Sequence, residues 1–312
     1  MTNQPQNLFQ PNRALSKLTE RAVVAILGLF AFISILTTVG IVLTLAFETW
    51  AFFQKVPIWR FLTDTEWTPL FTNPQYGIFV LISGTFLTSI IATLVALPLG
   101  LLAAIYLSEY APAKLRRWLK PAIEVLAGVP TVVFGYFALT LVTPLLQDTI
   151  FSLPFTPDLE GFNTLSAGLV MGVAITPLVA SISEDTIYSV PQDLRQGAYA
   201  MGCTKKEVVT GVVIPAALSG IVASFILAIS RAVGETMIVT VAAGQNPNLT
   251  LNPLVSAQTM TSFIVQVSLG DAPTGSIAYQ TLFAVGSTLF LITLTLNAFS
   301  FWFVRKFREQ YE

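Results

Sequence analysis

The chain is predicted to be an all-α polytopic membrane protein with six transmembrane helices. Three observations predict it. Of 312 residues, 54% are hydrophobic and only 11% are charged, whereas a soluble domain carries roughly 25% charged residues. Residues 22–47, 67–108, 125–147, 161–183, 208–230, 236–270 and 272–304 carry no charge at all. Lysine and arginine also concentrate in alternate connecting segments, as the positive-inside rule requires of a membrane-spanning chain.

A bilayer core of about 30 Å is crossed by about 20 apolar residues in a helix. The charge-free stretches therefore predict spans at 22–47, 77–107, 122–146, 164–186, 211–243 and 277–304. The stretch 236–270 is not a separate span. Its Gly244-Gln245-Asn246-Pro247-Asn248 run is a turn-rich break, followed by the polar Ser256-Ala257-Gln258-Thr259. Residues 1–21 form a polar tail before the first span, without the features of a cleavable leader. Two readings of that tail stay open: an amphipathic elbow through Leu8, Leu15 and Leu18, or a disordered segment. Residues 48–76 form an outer loop, 77–305 the core, and 306–312 a short second tail.

With the N-terminus inside, the inner segments hold Arg13, Lys17, Arg21, Lys114, Arg116, Arg117, Lys120, Arg195, Lys205, Lys206, Arg305, Lys306 and Arg308. The outer loops hold only Lys55 and Arg60. That asymmetry predicts both termini on the cytoplasmic side. The net charge of −1 conceals it. No nucleic-acid partner is expected.

Several function classes are excluded by what the chain lacks. There is no Gly-x-x-x-x-Gly-Lys-[Ser/Thr] loop to cradle nucleotide phosphates. There is no His-Glu-x-x-His or Gly-x-Ser-x-Gly motif. With no histidine and the single Cys203, neither an intrachain disulfide nor a metal site of the usual kind is expected. A transporter driven by ATP must then borrow its motor from another chain.

Residues 189–215 are a polar helix-turn-helix segment inside an apolar chain. Ser189 is a candidate cap, with Pro191 in the first helical turn. The helix runs through Leu194, Ala198 and Met201, and Gly202 stops it. Gly197, Ala198 and Ala200 are small enough to let a partner surface approach the backbone. Thr204-Lys205-Lys206-Glu207 fits a capping box. Val212-Val213-Ile214-Pro215 leads into the fifth span, which Pro215 bends or starts.

This segment resembles the cytoplasmic loop of ABC-importer permeases, whose pattern is Glu-Ala-Ala, three residues, Gly, nine residues, Ile-x-Leu-Pro. Here Gln196-Gly197-Ala198 is followed by Tyr199, Ala200 and Met201, then Gly202, then residues 203–211, then Val212 to Pro215. The spacing is intact; Gln196-Gly197 departs from Glu-Ala, which keeps length and hydrogen bonding but not charge. The resemblance implies the type I ABC-importer permease fold. It also implies that Gln196, Gly197, Ala198, Tyr199, Met201, Gly202 and Pro215 serve docking to an ATPase. Without the resemblance, the segment reads equally as an amphipathic surface loop.

Arg231 and Glu235 lie in Ser230-Arg231-Ala232-Val233-Gly234-Glu235-Thr236. Four residues apart on a helix, they would share a face and pair. A charge inside a membrane costs roughly 2.5–3.5 kcal/mol on insertion scales and usually faces a bundle interior or aqueous path. A structural ion pair and an anion pathway are both open. The planar guanidinium suits tetrahedral oxyanions.

Ser230 to Met237 and the run Ala127-Gly128-Val129-Pro130-Thr131-Val132-Val133-Phe134-Gly135-Tyr136-Phe137-Ala138-Leu139 resemble two signatures of the phosphate-specific ABC importer, with Thr131 in place of the family's serine. The long outer loop makes the chain more similar to the C-type permease (PstC) than to the A-type. The resemblance implies a bacterial inner-membrane location and a heterodimer with a second, PstA-type permease. It further implies two copies of a PstB-type cytoplasmic ATPase, which binds the ATP and Mg, and a periplasmic PstS-type phosphate-binding protein. Membrane lipid surrounds the whole. It places Arg231, Glu235, Thr131 and Thr236 on the substrate pathway and no cofactor on this chain.

Gly168-Leu169-Val170-Met171-Gly172 reads as a stripe for close helix packing. Pro130 reads as a kink in its span, with a local unwinding that exposes amides to an anion as the alternative, and Glu124 is expected to reach the inner surface. Trp50, Trp59, Trp67, Trp118 and Trp302 fall where an aromatic belt would lie. The alternatives are a permease for sulfate or molybdate, an ion-coupled secondary transporter, and a membrane enzyme using Glu124, Arg231 and Glu235.

Overall fold

The computed structural model describes residues 13–151, 157–270 and 272–307. Helix dominates it. Among the described residues the extended pairing is one isolated bridge, Trp67 to Tyr76. Leu8 lies outside the described residues, as do the side chains of Leu15 and Leu18.

α1 (Arg13–Lys55) is one helix of 43 residues, roughly 65 Å long. It begins inside the stretch expected to be a tail, because no proline or glycine interrupts residues 13–21. α2 (Ile58–Thr63) is a short turn of helix after it. α3 (Ile78–Ile105) continues through a π-helical turn, Tyr106–Tyr110. α4 (Ala113–Ala127) is amphipathic and buries none of its residues. α5 (Thr131–Phe137), a second π turn (Ala138–Val142) and α6 (Thr143–Thr149) form one rod. α7 (Thr164–Tyr188) is the most enclosed helix. α8 (Gln192–Ala200) and α9 (Lys205–Val208) follow, then a third π turn (Val209–Val213) and α10 (Ile214–Val233). α11 (Met237–Ala242), α12 (Met260–Leu269) and α13 (Ile277–Phe307) complete the chain.

Six stretches are long and apolar enough to cross a membrane: 19–55, 78–110, 131–149, 164–188, 205–233 and 277–306. The number agrees with the sequence; several boundaries do not, and the first span runs on to Lys55 instead of ending at 47. The third span starts at Thr131 rather than at 122, because the chain breaks at Gly128-Val129-Pro130 instead of kinking. Pro130 cannot donate a backbone hydrogen bond and disfavours helix in the residue before it. The fifth ends at Val233 rather than at 243, because Gly234 caps it. α11 and α12 are too short to cross, in keeping with a non-spanning 236–270.

The three π turns share one cause. In each, the first residue's carbonyl accepts from the amide five residues on: Tyr106 from Ala111, Ala138 from Thr143, Val209 from Ile214. In each, the next residue is proline: Pro112, Pro144 and Pro215. Proline offers no amide to the preceding turn and its ring pushes against the carbonyl four residues back, so the helix widens there.

α7 packs closely against α3. A Cβ on Gly168 would fall 2.7 Å from the Ile91 Cβ, and one on Gly172 would fall 2.6 Å from the Val95 Cβ. The stripe is thus a packing device, as its spacing predicts. At the end of the bundle holding Lys55 and Arg60, Phe52, Phe61, Trp67, Tyr76 and Phe263 form an edge-to-face aromatic cluster. Trp67 is only 2% exposed, so it is core rather than belt. Trp50, Trp59, Trp118 and Trp302 are exposed.

Replacing Gly172 by valine should overpack this contact and cost about 1–3 kcal/mol. Thermal unfolding in detergent should register the loss. Gly28→Val, where an added Cβ meets nothing within 4 Å, should leave the melting temperature unchanged.

Candidate functional site

The end of the bundle carrying most of the lysines and arginines is built on the last turns of α7. Ser189 does not cap α8; it closes α7, with its hydroxyl donating to the Thr186 carbonyl. Pro191 takes the cap position of α8. Arg195 fastens α8 from beneath. It is 6% exposed and donates to the carbonyls of Ile187 and Val190 and, at 3.0 Å, to the Glu109 carboxylate in the π turn after α3. The helix C-terminus of α7 supplies carbonyls without intrahelical partners, which is where a cation is best placed.

The other side of α8 faces outward. Gln192, Asp193, Gln196, Gly197, Tyr199 and Ala200 are exposed, and Met201 is 85% exposed. Ala198 packs inward with Val190, Val208 and Val213. A Cβ on Gly197 would meet nothing within 4 Å, so nothing in this chain requires its smallness. Gly202 has φ +84, the left-handed conformation that ends a helix, and the Cys203 amide closes the turn on the Ala198 carbonyl. Thr204 and Glu207 form the expected reciprocal box: the Thr204 amide donates to Glu207 at 2.7 Å and the Glu207 amide to the Thr204 hydroxyl at 3.4 Å. Pro215 lies behind the loop, in the first turn of α10.

Arg231 sits in the last turn of α10 and is exposed. It does not pair with Glu235. The helix ends between them, and the Glu235 carboxylate turns back to accept the amides of Met237 at 3.2 Å and Ile238 at 3.5 Å. It thereby caps α11, a position that favours a negative charge. The Glu235 carbonyl accepts from Thr261. Arg231 instead lines a cavity of about 280 Å³ with Glu124, Ala127, Pro177 and Ser181. Neither Thr131, the first residue of α5, nor Thr236, the cap position of α11, lines it. Glu124 is exposed on α4 and also lines this cavity, because α4 lies along α7.

Sequence reading also missed Glu184. Its side chain is 1% exposed and takes hydrogen bonds from Arg116 and from Lys120 at 2.6 Å. Lys120 also donates to Asp185 at 2.7 Å, and Arg116 stacks on Tyr188 at 4.2 Å. Hydrogen bonds to Asp185 and then Glu184 push the Lys120 ammonium above its ordinary value. The signal in the sequence was an acidic pair, Glu184-Asp185, at the edge of a charge-free span and facing a basic segment. Its meaning depends on α4 folding back onto α7, which spacing does not disclose. Chemically, the region offers fixed positive charge and helix ends to an anion, together with a rigid exposed helix to a partner.

Comparisons place these features in a family. The binding-protein-dependent transport system inner membrane component family matches residues 96–309. The probable ABC transporter permease protein YqgH of Bacillus subtilis is 34% identical over 75% of this chain and 74% of its own length. The phosphate transport system permease protein PstC of Haemophilus influenzae is 33% identical over 90% of this chain and 92% of its own. Among solved structures, a chain of a bacterial alginate ABC transporter in complex with an alginate pentasaccharide-bound periplasmic protein aligns with TM-score 0.64. It covers 95% of this chain and 99% of the other at 16% identity, a likeness of fold.

Glu184→Gln should destabilise the basic end by about 2–3 kcal/mol, because removing one partner of a buried pair leaves cations uncompensated. Asp185→Asn, at a 64% exposed side chain, should change it by less than about 0.5 kcal/mol. A raised lysine pKa contributes stability that is complete below its unfolded value and fades as pH rises through the folded one. Melting temperatures measured at rising alkaline pH should therefore fall less for Lys120→Met than for the unsubstituted protein.

Proposed function

Because the chain belongs to the binding-protein-dependent transport system inner membrane component family, we propose that it is the permease subunit through which an ABC importer moves inorganic phosphate inward. The observation that carries this reading is the pairing of two features on one helix system. α8 is an exposed docking helix anchored from below by Arg195, and Arg231 is a fixed cation lining a cavity beside α7.

The motor is a separate ATPase. Two PstB-type copies would grip α8 and its counterpart on the second, PstA-type permease of a heterodimer. Gln196, Gly197, Tyr199 and Met201 are the gripped surface, with Ala198 and Gly202 shaping it and Pro215 setting the base of α10. Open space over Gly197 supports close approach of a partner's backbone there. ATP and Mg belong to that partner, and this chain holds no cofactor. A periplasmic PstS-type protein delivers phosphate at the end bearing Lys55 and Arg60. The basic end faces the cytoplasm of a bacterium, with the termini on the same side, a reading that the distribution of lysine and arginine supports.

Phosphate is supported by the resemblance of residues 127–139 and 230–237 to the phosphate importer and by the name of the Haemophilus relative. Glu235 supports the path indirectly, by capping α11 and so fixing where α10 ends. Thr131 is the first residue of α5 and Thr236 the cap position of α11, each beside a break in the helical rods.

Uptake by the reconstituted four-component complex in proteoliposomes, with labelled phosphate and sulfate in parallel, tests the assignment. Phosphate should be carried with ATP and binding protein. Sulfate carried alone would defeat the substrate, and uptake by this chain alone under an ion gradient would defeat the ABC reading. Arg231→Gln should cut uptake at least about tenfold, the scale of one lost charge-assisted hydrogen bond. Met201→Asp should abolish co-purification of the ATPase while the permease still folds.

A further inference from the structure

The π turn after α3 and the start of α4 border a cavity of about 630 Å³. Its walls include Ser108, Ala111, Ala113, Arg116, Arg117 and Tyr188. Arg231 does not line it, and none of the functions proposed above uses it.

Three features make this cavity a seat for an anion. α4 starts without a side-chain cap: Pro112 stands at the cap position, and the first turn has no acidic residue. The first amides of a helix have no intrahelical acceptor and carry the positive end of its dipole. Lys114, Arg116 and Arg117 crowd the same helix start, where a cation adds to that positive end instead of offsetting it. The Ser108 hydroxyl is buried, has no hydrogen-bond partner and lines the cavity. A buried hydroxyl left unpaired is costly, and an anion oxygen in the cavity would accept from it.

We propose that the cavity binds the phosphate group of an anionic phospholipid in the leaflet at the basic end. Depth favours a lipid over free phosphate as the source. The span that contains α3 ends at Tyr110, so the cavity lies at headgroup level. Tyr106, Tyr110 and Trp118, on the two elements that border it, are exposed, as aromatic residues are at a membrane boundary. α4 is amphipathic and buries none of its residues, the character of a helix lying in the interface. Its exposed Leu115 and Trp118 offer apolar surface to an acyl chain.

The charges leave Arg117 as the headgroup's partner. Arg116 and Lys120 are committed to Glu184, and Lys120 also to Asp185. Glu124, the carboxylate in the cavity wall, stands seven residues after Arg117, about 10 Å along the helix. Arg117 lines the cavity with no ion pair among the described residues, and its planar guanidinium matches phosphate oxygens. A basic pocket beside a span is a place where anionic headgroups bind. Once seated, the headgroup ties the end of α3 to the start of α4, beside Tyr188, the last residue of α7. The inference does not depend on which substrate is carried.

The test uses the whole complex in nanodiscs. Ala113→Cys, in a Cys203→Ser background, puts a thiol on the cavity wall. Phosphatidylglycerol mixed into phosphatidylcholine should slow its reaction with an uncharged maleimide at least about fivefold relative to phosphatidylcholine alone, the scale of one basic residue at an anionic surface. Arg117→Gln with Ser108→Ala should abolish that protection. Arg21→Gln, a charge removed elsewhere at the basic end, should leave it intact. Inorganic phosphate added to phosphatidylcholine nanodiscs should not protect. As a second readout, without the introduced thiol, phosphatidylglycerol should raise the melting temperature of the complex, and Arg117→Gln with Ser108→Ala should remove the rise. Equal thiol reactivity in the two lipid compositions, or protection that survives the double variant, would overturn the site. Protection by inorganic phosphate alone would overturn the lipid as its occupant and give the pocket to free phosphate.

Discussion

The close contact of α7 with α3 is the constraint on which the rest of the structure depends. In a lipid solvent, apolar side chains gain little by leaving water, so helices associate through near contact of their backbones and through polar bonds. Gly168 and Gly172 bring α7 against Ile91 and Val95 at distances that no larger residue would permit. Everything functional at the basic end then hangs from α7. Ser181 lines the cavity with Arg231, Glu184 holds α4, the terminal carbonyls receive Arg195, and the chain passes directly into α8. A shift of α7 would move all of these together.

Glu184, Glu235 and Arg231, ionised groups in an apolar chain, meet three different surroundings. Glu184 is enclosed and satisfied by two cations from another helix. Glu235 is enclosed and satisfied by backbone amides of its own turn. Arg231 lines a cavity and has no ion pair among the described residues. Burying a charge without compensation is costly, so the two carboxylates serve structure and the arginine is the group left open to a ligand.

Proline shapes the mechanical parts. Pro112, Pro144 and Pro215 each follow a π turn, and Pro130 ends the break between α4 and α5. The widened turns stand at the junction of α3 with α4, within the α5–α6 rod and at the base of α10.

The sequence by itself determined the solvent, the six spans and the design of the 189–215 loop. Those properties are local: charge-free length, alternation of lysine and arginine, the Gly202 stop and the Thr204-Glu207 box each act within a few residues. The resemblance to ABC permeases likewise rested on spacing along one segment. Pairings were legible only where the helix ran on. Four-residue spacing suggested an ion pair of Arg231 with Glu235, but Gly234 ended the helix between them and gave the carboxylate closer partners. Trp67 was expected in a belt and became core, since whether an aromatic meets lipid or Phe263 depends on a residue almost two hundred positions away. Glu184 with Arg116 and Lys120, Arg195 with Glu109, and the cavity uniting Glu124 with Arg231 were decided by tertiary structure alone. Each joins groups on different helices, and their distance in space is set by how α4 and α3 lie along α7, a geometry that no periodicity within a single helix encodes.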